Sequence, residues 1–370
     1  MGRQDQTRRW DAQIFRLRRF ASVATLTAVA FGTISCTQSA LQLDGSSPRP
    51  SASITPTASE TKKNEAGRVY AGQLRGTNTA AVDETKLTPA APAKPKQIPK
   101  NAANASVGNG CLDIAGIREP DIRRNRTALT RIKACITYAA FTEARLPWQI
   151  YTIKLPNKKR GPLWAVPHDN ENVAFDTAVY ALGRYGGTIV AAETGERRAL
   201  RGQDANRNFS KSNRIAARCP QQRAAAPKYT NAFISQHTRG QPIIALHSNA
   251  NGYAGNGGSG TISINRRSRI MRAFKARRAK GRFADEDNII LVAGKRPVEQ
   301  DRRLKGIVDT FNGKGIHVIA ELVTPAKNDC SLSNYVVLNN IAKYYNVEVQ
   351  TGQGSVQRQL LDRLMASGPR

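Results

Sequence analysis

Four polar clusters carry residue types suited to hydrolysis. His168 and Glu171 lie three apart in Pro167-His168-Asp169-Asn170-Glu171, directly after the apolar stretch Leu163-Trp164-Ala165-Val166. Residues three apart share one face of a first helical turn, so an imidazole nitrogen and a carboxylate oxygen there can hold one zinc ion. Arg207, in Asp204-Ala205-Asn206-Arg207-Asn208-Phe209, offers a planar donor fork that matches a carboxylate. His247 ends the apolar run Pro242–Leu246, a placement suited to a metal ligand. Glu321 interrupts the apolar run Ile316–Val323. A carboxylate buried there is costly without a partner, and burial raises its pKa toward the range of a general base. Each cluster alone also has a plainer reading: a polar helix cap, one more loop arginine, a surface histidine, a solvated strand end.

The elements that must position these groups alternate between strand and helix. Trp148–Leu155 alternates apolar and polar residues as a strand does, and Leu163–Val166 reads as a second, short strand. Apolar residues over 171–185 recur at helical spacing, and Gly187–Ala192 reads as a strand. Pro242–Leu246 and Ile289–Val292 are continuous apolar runs, the form of central buried strands. A helix over 298–311, a strand over 316–323 and a closing helix over 332–345 follow. This alternation predicts one α/β domain, with a mixed, mostly parallel central sheet flanked by helices. Ligands of such sheets sit at the carboxyl ends of strands, which is where His168 and His247 fall.

Taken in order, HxxE, then Asp204-Ala205-Asn206-Arg207-Asn208-Phe209, then His247-Ser248 ending a strand, then Glu321 on a late strand resemble the zinc carboxypeptidase (funnelin) family over about residues 145–345. The resemblance implies a carboxypeptidase-like fold and one zinc ion held by His168, Glu171 and His247. It implies Glu321 as general base, Asn206 and Arg207 on the substrate's terminal carboxylate, and a further arginine on the oxyanion, with Arg198 and Arg201 both candidates. No Tyr occurs between Tyr253 and Tyr335. The likeness is therefore to compact bacterial branches: peptidoglycan peptidases and proteins similar to succinylglutamate desuccinylase. Between these branches, the export signal and basic surface described below favour cleavage of peptidoglycan-derived peptides. The alternatives are an N-acyl amino acid deacylase of the same fold and a non-catalytic basic wall-binding protein.

The rest of the chain bears on location and partners. Basic residues Arg3 to Arg19 precede an uncharged stretch, Phe20–Ser35, which closes at Cys36. This is the shape of a secretory signal. It also resembles a bacterial lipoprotein signal, which implies a lipid on Cys36 and an exported, envelope-attached protein. Residues 1–36 are thus expected to be a leader, 37–109 an Ala/Pro/Thr/Ser/Lys-rich linker, 110–350 the catalytic domain and 351–370 a tail. Removing Cys36 leaves Cys111, Cys135, Cys219 and Cys330, an even set with three possible pairings. The 370 residues carry a formal charge of +30, and 110–370 alone hold 42 Lys and Arg against 20 Asp and Glu. Such a surface attracts polyanions. Arg266 to Arg282 has nine basic residues and no acid, and is read either as an arm for an anionic envelope polymer or as a solvated insertion. Export and the lack of a helix-turn-helix or zinc finger argue against nucleic acid.

Overall fold

The computed structural model describes residues 106–369, except 108, 109, 158, 159 and 267. The expected leader with its Cys36, and nearly all of the expected linker, lie outside the described residues. A short ladder of β1 (Ser106–Val107) with β2 (Cys111–Leu112) leads into helices α1 (Pro120–Arg124) and α2 (Arg126–Arg131). The strand predicted near 148–155 is half of a hairpin. In it β3 (Cys135–Glu143) turns through Ala144 and Arg145, both at positive φ, into β4 (Leu146–Lys154). Such two-residue turns match the twist of the strands they join. Next come β5 (Leu163–Val166), α3 (Asn172–Tyr185) and β6 (Thr188–Glu193). A second short ladder, β7 (Ala199–Leu200) with β8 (Gln203–Asp204), precedes α4 (Asn213–Ala216) and α5 (Pro227–Ile234). The remainder runs β9 (Ile243–Asn249), β10 (Met271–Phe274), β11 (Ile289–Gly294), α6 (Arg302–Gly313), β12 (His317–Leu322), α7 (Leu332–Leu338), β13 (Tyr344–Gln350) and α8 (Gly354–Ala366).

Nine strands form one mixed sheet in the order β10-β12-β11-β13-β9-β5-β6-β4-β3. Parallel pairing runs unbroken across β6, β5, β9 and β13, and again between β11 and β12. The expected α/β architecture is therefore present. Its central strands are buried on both faces, which is why they are nearly continuous apolar runs. Strand alternation divides their side chains between two cores. Trp164, Val166, Ile244, Leu246, Val318, Ala320 and Val347 pack with α3, α6 and α8. Leu163, Ala165, Ile243, Ala245, Leu291 and Ile319 face Tyr229 and Phe233 of α5 and Val336 of α7.

Two segments differ from expectation. The helix predicted over 332–345 stops at Leu338, and Asn340 at positive φ turns the chain into β13. There Tyr345, Val347 and Val349 enter one core while Tyr344, Asn346 and Glu348 point to the opposite face. Residues 351–370, expected to be a tail, contain α8, whose Val356, Leu360, Leu361 and Leu364 are buried at helical spacing. Among the described residues no helix is long and apolar enough to cross a membrane.

The cysteines pair as Cys111–Cys135 and Cys219–Cys330, chemistry of an oxidising compartment. The bridges span 24 and 111 residues. Loop-closure entropy gives about 3.5 and about 5 kcal/mol of stabilisation respectively. Replacing Cys219 and Cys330 together by Ser should lower the denaturant midpoint more than the same change at Cys111 and Cys135. Urea titration of both variants checks this, and a reversed order would contradict the entropic account.

Candidate metal centre

Adjacent parallel strands build the site. β5 and β9 pair in register, Ala165 opposite Ala245, so the residues just past Val166 lie beside those ending β9. The chain leaves β5 toward β6 on one side while β9 lies on the other, the switch point where open α/β sheets hold ligands. His168 follows β5, Glu171 immediately precedes α3, and His247 lies on β9. All three are nearly inaccessible to solvent.

Their donor atoms converge. His168 Nδ1 is 2.8 Å from Glu171 Oε1, His247 Nδ1 is 2.9 Å from Glu171 Oε2, and the two Nδ1 atoms are 3.1 Å apart. Two imidazole nitrogens and a carboxylate within 4.8 Å of one another form a donor set that fits a divalent transition metal. The surroundings fit as well. Asp204 Oδ1 lies 2.9 Å from His168 Nε2, the outer carboxylate that orients a ligating imidazole. The Ser248 backbone amide donates to Glu171 Oε2, and the Asn206 side-chain Nδ2 lies 3.4 Å from His247 Nε2. Gln357 of α8, fully buried, donates to the carbonyls of His247 and Val347 and ties β9 to β13.

Burial alone would raise the Glu171 pKa, but the two imidazoles hold it well below the ordinary carboxylate range. Burial likewise works against the His168 imidazolium, and Glu171 and Asp204 more than offset it, so its pKa rises. Asp204, largely enclosed, is nonetheless held low by His168 and then Arg198. Arg198 completes the group: Nη1 donates to Glu171 Oε1 at 3.1 Å and Nε to Asp204 Oδ2 at 3.1 Å, with half the side chain still exposed. Of the two arginines named from sequence, Arg198 therefore borders the site. Arg201 lies in the exposed turn between β7 and β8.

The motif around Arg207 forms the neighbouring wall. Tyr229, packed against Trp148, Phe209 and Phe233, donates its hydroxyl to Ala205 O at 2.9 Å. Asn206 Oδ1 accepts from the Leu332 amide, and the Phe209 amide donates to Cys330 O. Arg207 itself pairs with Asp329 at 3.1 Å.

Glu321 is not brought to the three ligands. β11 and β13 stand between β12 and β9, and β12 runs antiparallel to both β13 and β9. The register places Glu321 opposite Ala293, toward the start rather than the end of β13. It is buried and accepts from Asn334 at 2.7 Å. Burial, then the charge of Asp329, raises its pKa to about 7. The carboxylate beside the ligands is Glu348, register partner of His247 on β13. It accepts from Asn346 at 2.9 Å. Burial raises its pKa, with His247 opposing and Glu171 adding to the rise. Its signal in the sequence is the alternation Tyr344-Tyr345-Asn346-Val347-Glu348-Val349, a strand with polar residues on one face.

A second, all-carboxylate group lies nearby: Glu119, Asp169 and Glu193. Asp169 accepts from the amides of Thr194 and Glu196, and Glu119 caps α1. Protons relieve this crowding. Burial, then Asp169 and Glu119, push Glu193 to about 9, and burial with Glu119 pushes the adjoining Asp121 to about 7.

No family model matches this chain, and no curated protein does. Among solved structures it is similar to candidate metallopeptidases from three Shewanella species. That from Shewanella baltica is 12% identical, with a TM-score of 0.37 over 69% of this chain and 91% of that one. The Shewanella denitrificans structure gives 9%, 0.38, 70% and 91% for the same four quantities. The Shewanella amazonensis structure gives 13%, 0.36, 69% and 91%. At these scores the case for the site rests on its own geometry.

The acid group predicts a pH dependence of stability. Carboxyls whose pKa is raised on folding contribute stability that is full below about pH 4 and lost as pH rises through 7 for Asp121 and 9 for Glu193. Melting temperature in chelator should therefore fall between pH 5 and pH 9, and Glu193→Gln should flatten the upper part of that fall. An unchanged slope in the variant would contradict the assignment.

Proposed function

We propose that this chain is a zinc-dependent, carboxypeptidase-like amide hydrolase. The observation that carries the reading is the convergence of His168 Nδ1, His247 Nδ1 and the Glu171 carboxylate, all buried, at the ends of two adjacent strands. These three residues would hold the ion. When bound, zinc polarises a scissile carbonyl and makes water a stronger nucleophile at neutral pH. The remaining work belongs to the protein. Glu348, beside His247, takes a proton from the attacking water and returns it to the leaving nitrogen, the role the sequence resemblance gave to Glu321. Arg198, half exposed at the rim, donates to the carbonyl oxygen as its negative charge develops. Arg207, exchanging Asp329 for substrate, grips the terminal carboxylate while Asn206 fixes the loop.

The substrate class we favour is a short peptide with a free carboxylate, drawn from peptidoglycan. Two disulfides and a strongly basic chain support an exported enzyme of the cell envelope, tethered through a lipid on Cys36.

The test is metal content and kinetics of the full chain. Wild-type protein should hold one zinc per chain, and His168→Ala should lose it while still folding. Glu348→Gln should keep the metal and lose hydrolysis of peptidoglycan stem peptides by 10²- to 10⁴-fold, the usual worth of a general base. Glu321→Gln should cost less than tenfold. Folded protein that takes up no zinc would overturn the metal reading. A greater loss in Glu321→Gln would return the base to β12. Turnover of N-acyl amino acids but not stem peptides would make the enzyme a deacylase.

A further inference from the structure

We propose a second binding site, for a small diphosphate-bearing ligand, at the end of the sheet opposite the metal centre. The concavity there has a volume of about 670 Å³, within the range of small-molecule pockets. It is lined by the end of β11, the loop Lys295–Arg296, the start of α6 and the start of β13. Tyr344 lines it, four residues before Glu348 on the same strand. At about 3.3 Å per residue the pocket is roughly 13 Å from the metal centre along β13. It is therefore a separate site.

Its chemistry is one-sided. Lys295, Arg296, Arg302, Arg303 and Lys343 line it, all exposed, and none forms an ion pair among the described residues. Lys295 donates to the Leu338 carbonyl, which sets its position without neutralising it. The one acid of the lining, Asp301, is occupied at the N-terminus of α6, where it accepts from the Leu304 amide. The neighbouring Glu299 pairs with Arg272. A basic chain makes some basic pockets inevitable, so the comparison with others decides. The concavity of about 680 Å³ near Gly161 has Arg160 alone, the one beside α3 sets Arg131, Arg184 and Arg358 against Asp176, and the one by His317 holds two cations, Lys275 and Arg277, without an acid. Five uncompensated cations around one hollow repel each other, and a ligand with several negative charges removes that repulsion. Three of the five are arginines, whose forks match phosphate oxygens in pairs. The α6 N-terminus at the pocket wall adds its positive end. The volume exceeds what diphosphate alone fills, so an attached organic group fits.

The basic run noted in the sequence meets this region only in part. Arg269 and Arg272 line a small adjoining hollow of about 150 Å³ that shares Arg296 with the main pocket. Lys275 and Arg277 line a different hollow, by His317.

Calorimetric titration of the full, chelator-treated chain with inorganic pyrophosphate tests the proposal. One saturable site is expected. Its affinity should fall at least tenfold in Arg302→Ala/Arg303→Ala, whose exposed side chains form no hydrogen bond or ion pair among the described residues, and stay within twofold in the control Arg131→Ala. Binding should persist in His168→Ala, so failure of the zinc reading would leave this result intact. Pyrophosphate should raise the melting temperature of wild type and not of the double variant. Equal affinity in the double variant would reduce the effect to the general charge of the surface. Equal binding of citrate would remove phosphate selectivity. Binding to anionic phospholipid vesicles without pyrophosphate binding would make the surface a membrane contact. Any of the three overturns the proposal.

Discussion

Glu171 is the interaction on which the rest turns. A carboxylate taken wholly out of water costs several kcal/mol unless its surroundings restore what water gave it. Here two imidazoles, the Ser248 amide and Arg198 do so at once. None of those partners is close in sequence except His168. They meet only when β5 and β9 pair in their observed register, because a slip of one residue would turn His247 to the opposite face. The register of the sheet and the charge of the site thus enforce each other. Gln357, reaching from α8 to the carbonyls of His247 and Val347, ties β9 to its other neighbour, β13.

Much of this was legible before any coordinates. Strands β5, β9, β11 and β12 announced themselves as apolar runs because they are buried on both faces, and His168, Glu171 and His247 stood out as polar residues at the ends of such runs. What sequence reading missed follows from the same logic. β13 carries Tyr344, Asn346 and Glu348 on one face, so it lacks the uniform apolarity of its neighbours. Its two tyrosines and the helix before it blurred the boundary. Glu321 was conspicuous for the opposite reason, as a lone carboxylate in an apolar strand. Which late strand lies beside β9 depends on the order in which strands assemble, and no local pattern encodes that order.

The sheet also separates two kinds of electrostatics. At the carboxyl end of β9, Glu171 is paired with His168 and His247 at hydrogen-bond distance away from water, where each interaction is stronger and much less screened by salt. At the opposite end, Lys295, Arg296, Arg302, Arg303 and Lys343 stand exposed and form no ion pair among the described residues, so ionic strength governs their reach. One end holds its charges in fixed geometry, and the other presents them to whatever arrives.

The wall carrying Asn206 and Arg207 is fastened to residues far along the chain, by the Cys219–Cys330 bridge, the Phe209–Cys330 hydrogen bond and the Leu332 amide on Asn206. Glu348 and Gln357 come later still. During synthesis from the N-terminus, His168 and Glu171 emerge more than 150 residues before the last of these partners. Local contacts cannot assemble the site early, since every closing contact waits on long-range pairing. A nascent chain therefore contains His168 and Glu171 but no assembled site. His168, Glu171 and His247 are brought together only once β9, β13 and α8 have all emerged, so the order of emergence sets when the site can first form.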